Sequence, residues 1–440
     1  MAKPIIAIVG RPNVGKSTFF NKLAGERIAI VQDVPGVTRD RILADAEWCG
    51  RSFTVIDTGG IEPRSQDPMQ SHIRAQADIA IETADVILFF TDGRQGLTAD
   101  DREVADILRK CGKPVLVAVN KLDRYDPSLT YEFYELGFEH VFGVSSEQGS
   151  GVGDLLDETV RLLPESDEEV DDGAIKIAVV GKPNAGKSSL VNRLTGEDRV
   201  IVSDIAGTTR DCIDTPVTVD GQAYVLIDTA GLRRKRGVES GSVEAISAIK
   251  AMRAIEKADV VLIVIDAGEE LSEQDIRVAG YVHESGKPSV IVVNKWDLVE
   301  KDTHTIERYR AGLNESLKFM DYYESVFISA KTGQRVTKIW DAVAKVYASS
   351  NRRIPTGQLN DLVSDAVALT EPPAFSGRRL KIMYATQAGV CPPTFVFFVN
   401  DATLMHFSYL RYLENSLRKT VDFTGTPIRL EVRTRSEKKS

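Results

Sequence analysis

A chain of 440 residues with 42% hydrophobic content is long enough to bury two or three cores, so the length predicts several domains. The formal net charge of −9 argues against nucleic acid as a partner of the whole chain, although an acidic average can conceal a basic segment. The four cysteines form no C-x-x-C pair and suggest neither zinc nor disulfides, and no apolar run reaches the roughly 18 residues of a membrane helix. We therefore expect a reduced, cytoplasmic protein without an export leader or a membrane span.

Short apolar runs alternate with helical stretches in the first part of the chain, residues 1–163. The runs PIIAIVG, VILFFTDG and PVLVAVNK are nearly continuous in apolar residues and predict buried strands. Strands of this kind, separated by helices, are typical of a parallel sheet that is covered on both faces. We expect an α/β domain with a mostly parallel sheet and helices on both faces.

The first strand leads into GRPNVGKS, residues 10–17, and the helical stretch TFFNKLAG follows. The pattern G-x-x-x-x-G-K-[ST] between a strand and a helix predicts a phosphate-binding loop. Its backbone N–H groups surround phosphate, Lys16 pairs with the β- and γ-phosphates, and Ser17 is a ligand of magnesium. The nucleotide-contacting residues predicted here are Gly10, Arg11, Pro12, Asn13, Val14, Gly15, Lys16 and Ser17.

The words PGVTRD and DTGG predict two segments that respond to the γ-phosphate of the nucleotide. Asp57 would orient magnesium, the N–H of Gly60 would sense the γ-phosphate, and the Thr38 hydroxyl would join the magnesium shell. A plain loop role for Thr38 stays open. The predicted contacts of the second segment are Asp57, Thr58, Gly59, Gly60 and Ile61.

NKLD, residues 120–123, selects the base, because a carboxylate after a strand can accept both N1–H and the exocyclic amine of guanine. Asp123 would read guanine, Asn120 would brace the loops, and the stem of Lys121 would lie on the ring. The word SSEQG, which follows later in the chain, adds two further predicted contacts. The predicted contacts are Asn120, Lys121, Leu122, Asp123, Ser145 and Ser146.

The same words recur in the same order, with Gly10 matching Gly181 at an offset of 171 residues. The sequence therefore predicts a second domain of the same kind after the acidic segment PESDEEVDDG, which we interpret as a tether, with acidic docking as the alternative. Thr208 competes with Thr209 as the second magnesium-binding threonine. The predicted residues of the second site are Gly181, Lys182, Pro183, Asn184, Ala185, Gly186, Lys187, Ser188, Thr209, Asp228, Thr229, Ala230, Gly231, Leu232, Asn294, Lys295, Trp296, Asp297, Ser329, Ala330 and Lys331.

GLRRKR, with its basic residues at 233–236, follows the second DTAG and has no basic counterpart in GIEPRS of the first copy. A solvated loop and a contact with RNA phosphate or another domain both stay open.

The last part of the chain is basic: residues 351–440 carry 13 Lys and Arg against 8 Asp and Glu, a net +5 that leaves −14 on the rest. TGQLNDLVSDAVALT and MHFSYLRYLENSLRKT have helical spacing, whereas RLKIMYATQ, PTFVFFVND and IRLEVRTR predict strands. The order αββαβ predicts a small sheet with helices on one face. Since few residues separate this part from the second copy, we expect the two to pack firmly together.

The order of phosphate loop, T-R-D, D-T-x-G, N-K-x-D and an S-A-K-like word, present twice before an αββαβ tail, resembles the Der (EngA) family of tandem ribosome-assembly GTPases. The resemblance covers nearly the whole chain. It implies a KH-like last domain, although the GxxG loop with which KH domains clamp RNA is missing here. The first copy also departs from the S-A-K-like word of the family: in SSEQG, Ser146 and Glu147 stand where the second copy has Ala330 and Lys331.

The resemblance also implies how GTP is hydrolysed without a glutamine, because Ile61 and Leu232 occupy the position after D-x-x-G. Family members with an apolar residue there are associated with a loop asparagine that binds potassium, here Asn13 and Asn184; a purely loop-shaping role is the alternative. The predicted magnesium ligands are Ser17, Thr38, Asp57, Ser188, Thr209 and Asp228. The predicted catalytic residues are Asn13, Lys16, Thr38, Gly60, Asn184, Lys187, Thr209 and Gly231.

The domains predicted from these features are a first GTPase domain (1–163), an acidic linker (164–173), a second GTPase domain (174–350), a KH-like domain (351–432) and a basic tail (433–440). The expected function is a GTP-hydrolysing switch that uses GTP or GDP with magnesium and potassium. The resemblance implies the large ribosomal subunit and its rRNA as partners, no DNA, and a monomer off the ribosome. The alternative is a regulatory GTP-binding module with a non-ribosomal protein partner and one mainly structural site.

Overall fold

The computed structural model describes residues 3–25, 43–60, 77–122, 127–164, 173–196, 200–202, 214–227, 241–372, 374–375 and 378–434. The chain divides into two compact units, Met1–Val170 with Arg236–Arg253, and Asp171–Lys235 with Ala254–Ser440. Several predicted site residues lie outside the described residues: Thr38, Ile61, Asp123, Thr208, Thr209, Asp228, Thr229, Ala230, Gly231 and Leu232, as do residues 233–236 of the basic cluster.

The first unit is built on a six-stranded sheet in the order β2-β3-β1-β4-β5-β6. Its strands are Ile5–Val9 (β1), Leu43–Trp48 (β2), Arg51–Asp57 (β3), Val86–Asp92 (β4), Val115–Asn120 (β5) and His140–Gly143 (β6). All neighbours run parallel except the edge strand β2, which pairs antiparallel with β3. Its helices are Lys16–Gly25 (α1), Ala99–Leu108 (α2) and Val152–Leu162 (α3), with a 3₁₀ segment at Pro127–Leu136.

Both faces of this sheet are buried, as the apolar runs predicted. In β1, Ile5, Ala7 and Val9 belong to one core cluster, whereas Ile6 and Ile8 belong to another. Successive side chains of a strand point to opposite faces, so a strand that is apolar at every position supplies two cores at once.

The second unit repeats this plan in a seven-stranded sheet, ordered β13-β12-β11-β7-β10-β9-β8. The strands are Ile175–Val180 (β7), Val200–Val202 (β8), Thr215–Val219 (β9), Gln222–Ile227 (β10), Val260–Asp266 (β11), Ser289–Asn294 (β12) and Glu324–Phe327 (β13). Strands β8, β9 and β10 pair antiparallel, and the others pair parallel. Helices of this unit are Lys187–Thr195 (α4), Glu273–Glu284 (α6), Thr305–Ser316 (α7) and Lys338–Ser350 (α8), whereas most of Gly241–Lys257 (α5) belongs to the segment Arg236–Arg253 of the first unit.

The tail of the second unit has the predicted order αββαβ, which together with the two mostly parallel sheets confirms the fold class. Helices Thr356–Leu369 (α9) and Phe407–Thr420 (α10) pack on a three-stranded sheet around buried Leu359, Phe397 and Leu413. A hairpin of Ala374–Phe375 (β14) and Arg378–Arg379 (β15) precedes the sheet strands Ile382–Gly389 (β16), Thr394–Val399 (β17) and Arg429–Thr434 (β18). The predicted strand RLKIMYATQ therefore begins three residues too early, because Arg379 ends the hairpin and the sheet strand starts at Ile382.

The tail is joined to the second sheet by backbone hydrogen bonds around Gly425. Its carbonyl accepts from Ser289 N at 2.7 Å, and its own N–H donates to Tyr322 O at 2.6 Å. Gly425 has a φ of +71°, and a Cβ there would lie 2.3 Å from Val346 Cγ2. Only glycine fits this contact, and the close packing agrees with the expectation that the tail sits firmly on the second copy.

No helix among the described residues is long and apolar enough to cross a membrane.

Candidate nucleotide sites

Each large sheet has a topological switch point at the carboxyl end of one central strand. In the first unit, β1 lies between β3 and β4. The connection that follows β1 leads to the β2 side of the sheet, whereas the connection that follows β3 leads to the β4 side. Ligands of open α/β sheets bind in the crevice formed there. The register places Asp57 beside Ile8 and Asn120 beside Asp92, which brings the ends of four strands to one edge.

The phosphate loop of the first copy connects β1 to α1 and is held by the side chain of Asn120. Asn120 Nδ2 donates to Val14 O at 2.7 Å, and Asn120 Oδ1 accepts from Ser146 N at 2.9 Å. Gly15 has a φ of +93°, and a Cβ there would lie 2.2 Å from Asn120 Nδ2. One asparagine thus joins the phosphate loop to both predicted guanine-binding segments, as its predicted bracing role requires.

Lys16 folds back onto the phosphate loop. Its Nζ donates to the carbonyls of Gly10 and Arg11, the latter at 2.8 Å. The residue is only 6% exposed, and burial lowers the pKa of its ammonium to about 8. An ammonium that loses water in this way is matched to a ligand that brings negative charge.

Asn13 and Asn184 share a left-handed backbone, with φ values of +65° and +63°. Asparagine tolerates this region better than most residues, so the backbone alone gives a reason for asparagine at this position. Both residues are exposed at the tip of the loop. The geometry therefore supports a loop-shaping role and leaves the side chains at the surface where a cation could reach them.

The predicted magnesium ligands that the structure describes in the first copy lie together. Ser17 Oγ donates to Asp57 Oδ2 at 2.8 Å, and Gly59 N donates to Asp57 Oδ1 at 2.9 Å. A hydroxyl and a carboxylate are the hard oxygen donors that magnesium prefers, so this pair fits the ion. Of the corresponding pair in the second copy, Ser188 is described and Asp228 lies outside the described residues.

The predicted guanine side of the first site opens as a cavity of about 220 Å³. Lys121 has a φ of +67°, and its Nζ donates to Asp92 Oδ2 at 2.8 Å. The residues that line the cavity are Gly15, Thr18, Arg94, Asn120, Lys121, Ser145, Ser146 and Glu147. Thr18, Arg94 and Glu147 were absent from the predicted set.

The second copy repeats the bracing. Asn294 Nδ2 donates to Ala185 O at 2.9 Å, and Asn294 Oδ1 accepts from Ala330 N at 2.9 Å. Lys187 Nζ donates to Gly181 O at 2.7 Å and to Lys182 O at 2.8 Å. The structure therefore brings the phosphate loop, N-K-x-D and S-A-K segments of the second copy together at one strand edge.

Asp297, the predicted reader of guanine in the second copy, is held in a carboxylate form. A hydrogen bond from Ser329 is the main cause that lowers the pKa of Asp297 below its usual value. Its Oδ1 is buried and has no hydrogen-bond partner among the described residues. A buried acceptor without a donor is costly, and the N–H donors of guanine would satisfy it.

Sequence reasoning missed a pair of aspartates that support the guanine segments. Asp92 and Asp266 end β4 and β11, and each accepts from the lysine of N-K-x-D, namely Lys121 and Lys295. The repeat offered a signal, because an aspartate follows the apolar run in both halves, in VILFFTDG and in VVLIVIDA.

Comparison with known proteins decides the family. The model for 50S ribosome-binding GTPases matches residues 5–121 and 176–295, the elongation factor Tu GTP-binding domain model matches 248–349, and the model for the C-terminal KH-like domain of EngA bacterial GTPases matches 353–433. GTPase Der of Ruminiclostridium cellulolyticum is 58% identical and covers 99% of this chain and 100% of its own length. GTPase Der of Alkaliphilus oremlandii is 56% identical, over 98% of this chain and 99% of its own.

The chain belongs to the Der (EngA) family of GTPases. As a Der-family protein it is a GTP-binding switch that binds GTP and GDP and hydrolyses GTP.

Two solved structures of Era are similar over part of the chain. Aquifex aeolicus Era bound to GDP and aluminium fluoride is 25% identical and covers 58% of this Der-family chain and 89% of its own, with a TM-score of 0.31. Era in complex with MgGDPNP and a segment of 16S ribosomal RNA is 22% identical over 60% of this chain and 93% of its own, with a TM-score of 0.32. TM-scores this low do not establish a shared fold over the whole chain.

Proposed function

We propose that both nucleotide sites bind and hydrolyse GTP and that their combined state controls association with the large ribosomal subunit and its rRNA during assembly. The observation that carries this proposal is the duplicated bracing, in which Asn120 and Asn294 each join a phosphate loop to a guanine segment. Further support comes from the matching family model, described as that of 50S ribosome-binding GTPases. The protein acts in the cytoplasm, is a monomer off the ribosome, and has no DNA partner.

The chain's own residues bind and orient GTP in each site. Residues 10–17 and 181–188 surround the phosphates with backbone N–H groups, and Lys16 and Lys187 contact the β- and γ-phosphates. We assign to Asp123 and Asp297 the reading of guanine. Because the loop and the guanine segment share one asparagine brace, the two ends of the nucleotide are bound by parts that are fixed to each other.

Magnesium, when bound, neutralises charge on the β- and γ-phosphate oxygens. We assign it to Ser17, Thr38 and Asp57 in the first site and to Ser188, Thr209 and Asp228 in the second. The threonines belong to the first switch segment and join only when the γ-phosphate is present. We assign to the N–H groups of Gly60 and Gly231 the role of sensing the γ-phosphate, which would make the second switch segment sensitive to hydrolysis.

Ile61 and Leu232 cannot orient the attacking water, so hydrolysis depends on charge stabilisation at the leaving group. We propose that Asn13 and Asn184 help to hold potassium beside the β- and γ-phosphates. Both are exposed at the tip of the loop that surrounds these phosphates. A monovalent cation there has the electrostatic role that an arginine finger has in other GTPases.

The proposed domain division has a first GTPase domain at 1–163, a linker at 164–173, a second GTPase domain at 174–350, a KH-like domain at 351–432 and a basic end at 433–440. The net charge of +5 on residues 351–440 favours rRNA as the contact of the last domain.

Sedimentation with purified large ribosomal subunits tests the proposal. With a non-hydrolysable GTP analogue the chain should sediment with the large subunit, and Lys16→Ala or Lys187→Ala should each weaken this association. The exposed lysines of the same two units supply matched controls, Lys110→Ala and Lys301→Ala. Equal binding of the Lys16→Ala protein would remove the first site from the switch, and absence of binding by the unaltered chain would favour a non-ribosomal protein partner.

A further inference from the structure

The second residue of each phosphate loop extends its side chain away from the loop and contacts a buried carboxylate. Arg11 Nε donates to Asp101 Oδ1 at 3.2 Å, and Lys182 Nζ lies 3.2 Å from Asp275 Oδ2. The carboxylate residues are almost fully buried, with exposures of 0% for Asp101 and 2% for Asp275. A buried carboxylate without a cationic partner is strongly unfavourable, so each pair is under a constraint that a surface ion pair does not have.

The two contacts are equivalent positions of the repeat. Asp101 and Asp275 are the third residues of α2 and α6, and each completes a capping box with Thr98 or Ser272. A neighbouring position is also shared, because Arg11 Nη1 donates to Gln95 Oε1 at 2.5 Å and Lys182 Nζ lies 2.8 Å from Glu269 Oε2. The same arrangement thus occurs twice, although the basic residue and its neighbour differ between the copies.

The capping box fixes the aspartate before it meets the loop. In the first copy, Asp101 Oδ2 accepts from Thr98 N at 3.1 Å and from Thr98 Oγ1 at 2.7 Å. That leaves Oδ1 for Arg11. The position of the loop side chain is therefore set by a helix N-terminus, which is a rigid element, instead of by solvent.

The backbone of the same loop residue contacts the phosphate-binding lysine. The carbonyl of Arg11 accepts from Lys16 Nζ, and the carbonyl of Lys182 accepts from Lys187 Nζ, both at 2.8 Å. Anchoring the side chain of residue 11 or 182 thereby restricts the carbonyl that holds the lysine. This gives a path from Asp101 to the ammonium that pairs with phosphate.

The stretch between β4 and α2 also reaches the guanine segment. Asp92, at its start, accepts from Lys121 Nζ at 2.8 Å, and Arg94 Nε donates to Lys121 O at 3.2 Å. Asp101, at its end, holds Arg11. One segment of ten residues, 92–101, is therefore bonded to both the phosphate and the guanine sides of the site.

We propose that Asp101 and Asp275 are positioning residues for nucleotide binding, which act through Arg11 and Lys182 to hold the phosphate loop in its binding shape. The inference rests on the proposed function, because it assigns these residues to the two nucleotide sites. A loop that is already fixed loses less conformational freedom when phosphate binds. Since GDP and GTP both contact the loop, the two nucleotides should be affected equally.

The two copies differ in how many oxygens of the buried aspartate have a polar partner. Lys182 shares Oδ2 of Asp275 with the capping hydrogen bonds, and Oδ1 of Asp275 is buried without a partner among the described residues. In the first copy, by contrast, Asp101 engages both oxygens. Arginine presents a fork of donors where lysine presents one point charge, so we expect the first loop to depend more strongly on its aspartate.

Titration of the full-length chain with a fluorescent GDP analogue tests the inference, in a Lys187→Ala background for the first site and a Lys16→Ala background for the second. Asp101→Asn should raise the Kd for GDP about tenfold, since losing a hydrogen bond to a charged group commonly costs that much. Asp275→Asn should raise it by a smaller factor. The KM for GTP should rise in parallel, while kcat at saturating GTP changes little.

Thr98→Ala is the matched control, because it removes only the Thr98 hydroxyl and keeps both the Thr98 N–H bond to Asp101 Oδ2 and the Arg11 contact with Oδ1, which still fix the aspartate. It should lower the unfolding temperature without changing the Kd for GDP. A double variant gives the second control: in an Arg11→Met background, Asp101→Asn should cause no further loss of affinity, because its route to the loop is already removed.

Three results would overturn the inference: an unchanged Kd in Asp101→Asn, an equal loss of affinity in Thr98→Ala, or additive losses in the double variant. The last two would reduce Asp101 to a helix cap. If the proposed function is wrong, the result is different: the Lys187→Ala protein would bind no GDP at its first site even without a change at Asp101. The inference would then be wrong as well.

Discussion

The buried lysine of the first phosphate loop should make nucleotide binding depend on pH in a range where most lysines do not titrate. Burial lowers the pKa of Lys16 from its usual value of 10.5 to about 8. Phosphates that arrive beside the ammonium favour its charged form, so the pKa must rise again in the complex. Above about pH 8, nucleotide binding is therefore coupled to the uptake of a proton by Lys16, and the affinity decreases as the pH rises.

The size of the effect follows from the fraction of Lys16 that is charged before the nucleotide binds. With a pKa of about 8, roughly nine-tenths of the ammonium is charged at pH 7 and roughly one-tenth at pH 9. The Kd for GDP should consequently rise about tenfold over this range, or about 1.4 kcal/mol.

The stability of the nucleotide-free protein should change in the opposite direction. Between about pH 8 and pH 10.5 the unfolded chain keeps the proton on Lys16 and the folded chain releases it. Because the unfolded state then binds more protons, the free energy of unfolding contributed by this group rises with pH. Alkaline conditions should therefore weaken GDP binding, while the contribution of Lys16 to the free energy of unfolding rises.

Titration with a fluorescent GDP analogue in a Lys187→Ala background, at pH values from about 7 to 9, measures the first effect, and urea unfolding without nucleotide measures the second. In the unfolding measurement, Lys16→Met removes the titrating group and keeps most of the side-chain volume, so subtracting its pH trend isolates Lys16 from the tyrosines and cysteines that also titrate here. A Kd for GDP that is flat across this range, together with an unfolding free energy whose pH trend is the same with and without Lys16→Met, would refute the assignment of a lowered pKa.

Three further predictions concern other parts of the chain. Asp297→Asn replaces a hydrogen-bond acceptor by a donor, so it should weaken the binding of GTP and strengthen the binding of xanthosine triphosphate at the second site. Asp123→Asn should do the same at the first site. An unchanged GTP affinity at the altered site would contradict the base-reading role. GTP turnover should be faster in potassium than in sodium at equal ionic strength, and Asn13→Ala with Asn184→Ala should remove most of the difference; indifference to the cation would return both asparagines to loop shaping. Burial lowers the pKa of His283, so as the pH falls below about 6.5 the unfolded state takes up a proton before the folded state does. The free energy of unfolding measured with urea should therefore decrease with falling pH, and the decrease should be smaller in a His283→Phe variant.

The phosphate loops, the strand ends and the bracing asparagines could be predicted because they depend on short spacings. A motif such as G-x-x-x-x-G-K-S fixes its own backbone shape, and the positive φ of Gly15 and Gly186 follows from it. The repeat strengthened each prediction, since a word found twice in one order leaves little room for chance. The near-continuous apolar runs likewise predicted sheets with two buried faces.

Contacts between distant parts of the sequence could not be predicted in the same way. Arg11 meets Asp101 across 90 positions, and nothing local to either residue indicates the other. The hairpin of β14 and β15 was missed because two-residue strands carry no readable period. The last helix begins at Phe407, with His406 as its cap, whereas the prediction began it at Met405, since histidine is not among the usual capping residues.

The contacts between the tail and the second sheet determine how a nucleotide signal can travel within that unit. Ser289, which bonds to Gly425, begins β12, and Asn294, which braces the phosphate loop, ends it. The described tail contacts at Ser289 and Tyr322 therefore lie at the amino edge of a parallel sheet, and the nucleotide segments lie at its carboxyl edge, about 16 Å away along the strand. A switch segment at the carboxyl edge cannot act on those amino-edge contacts directly. If the second site acts as the proposed switch, we expect the tail to stay attached to the second sheet and the surface that responds to the nucleotide to be the carboxyl edge, away from the tail contacts at Ser289 and Tyr322.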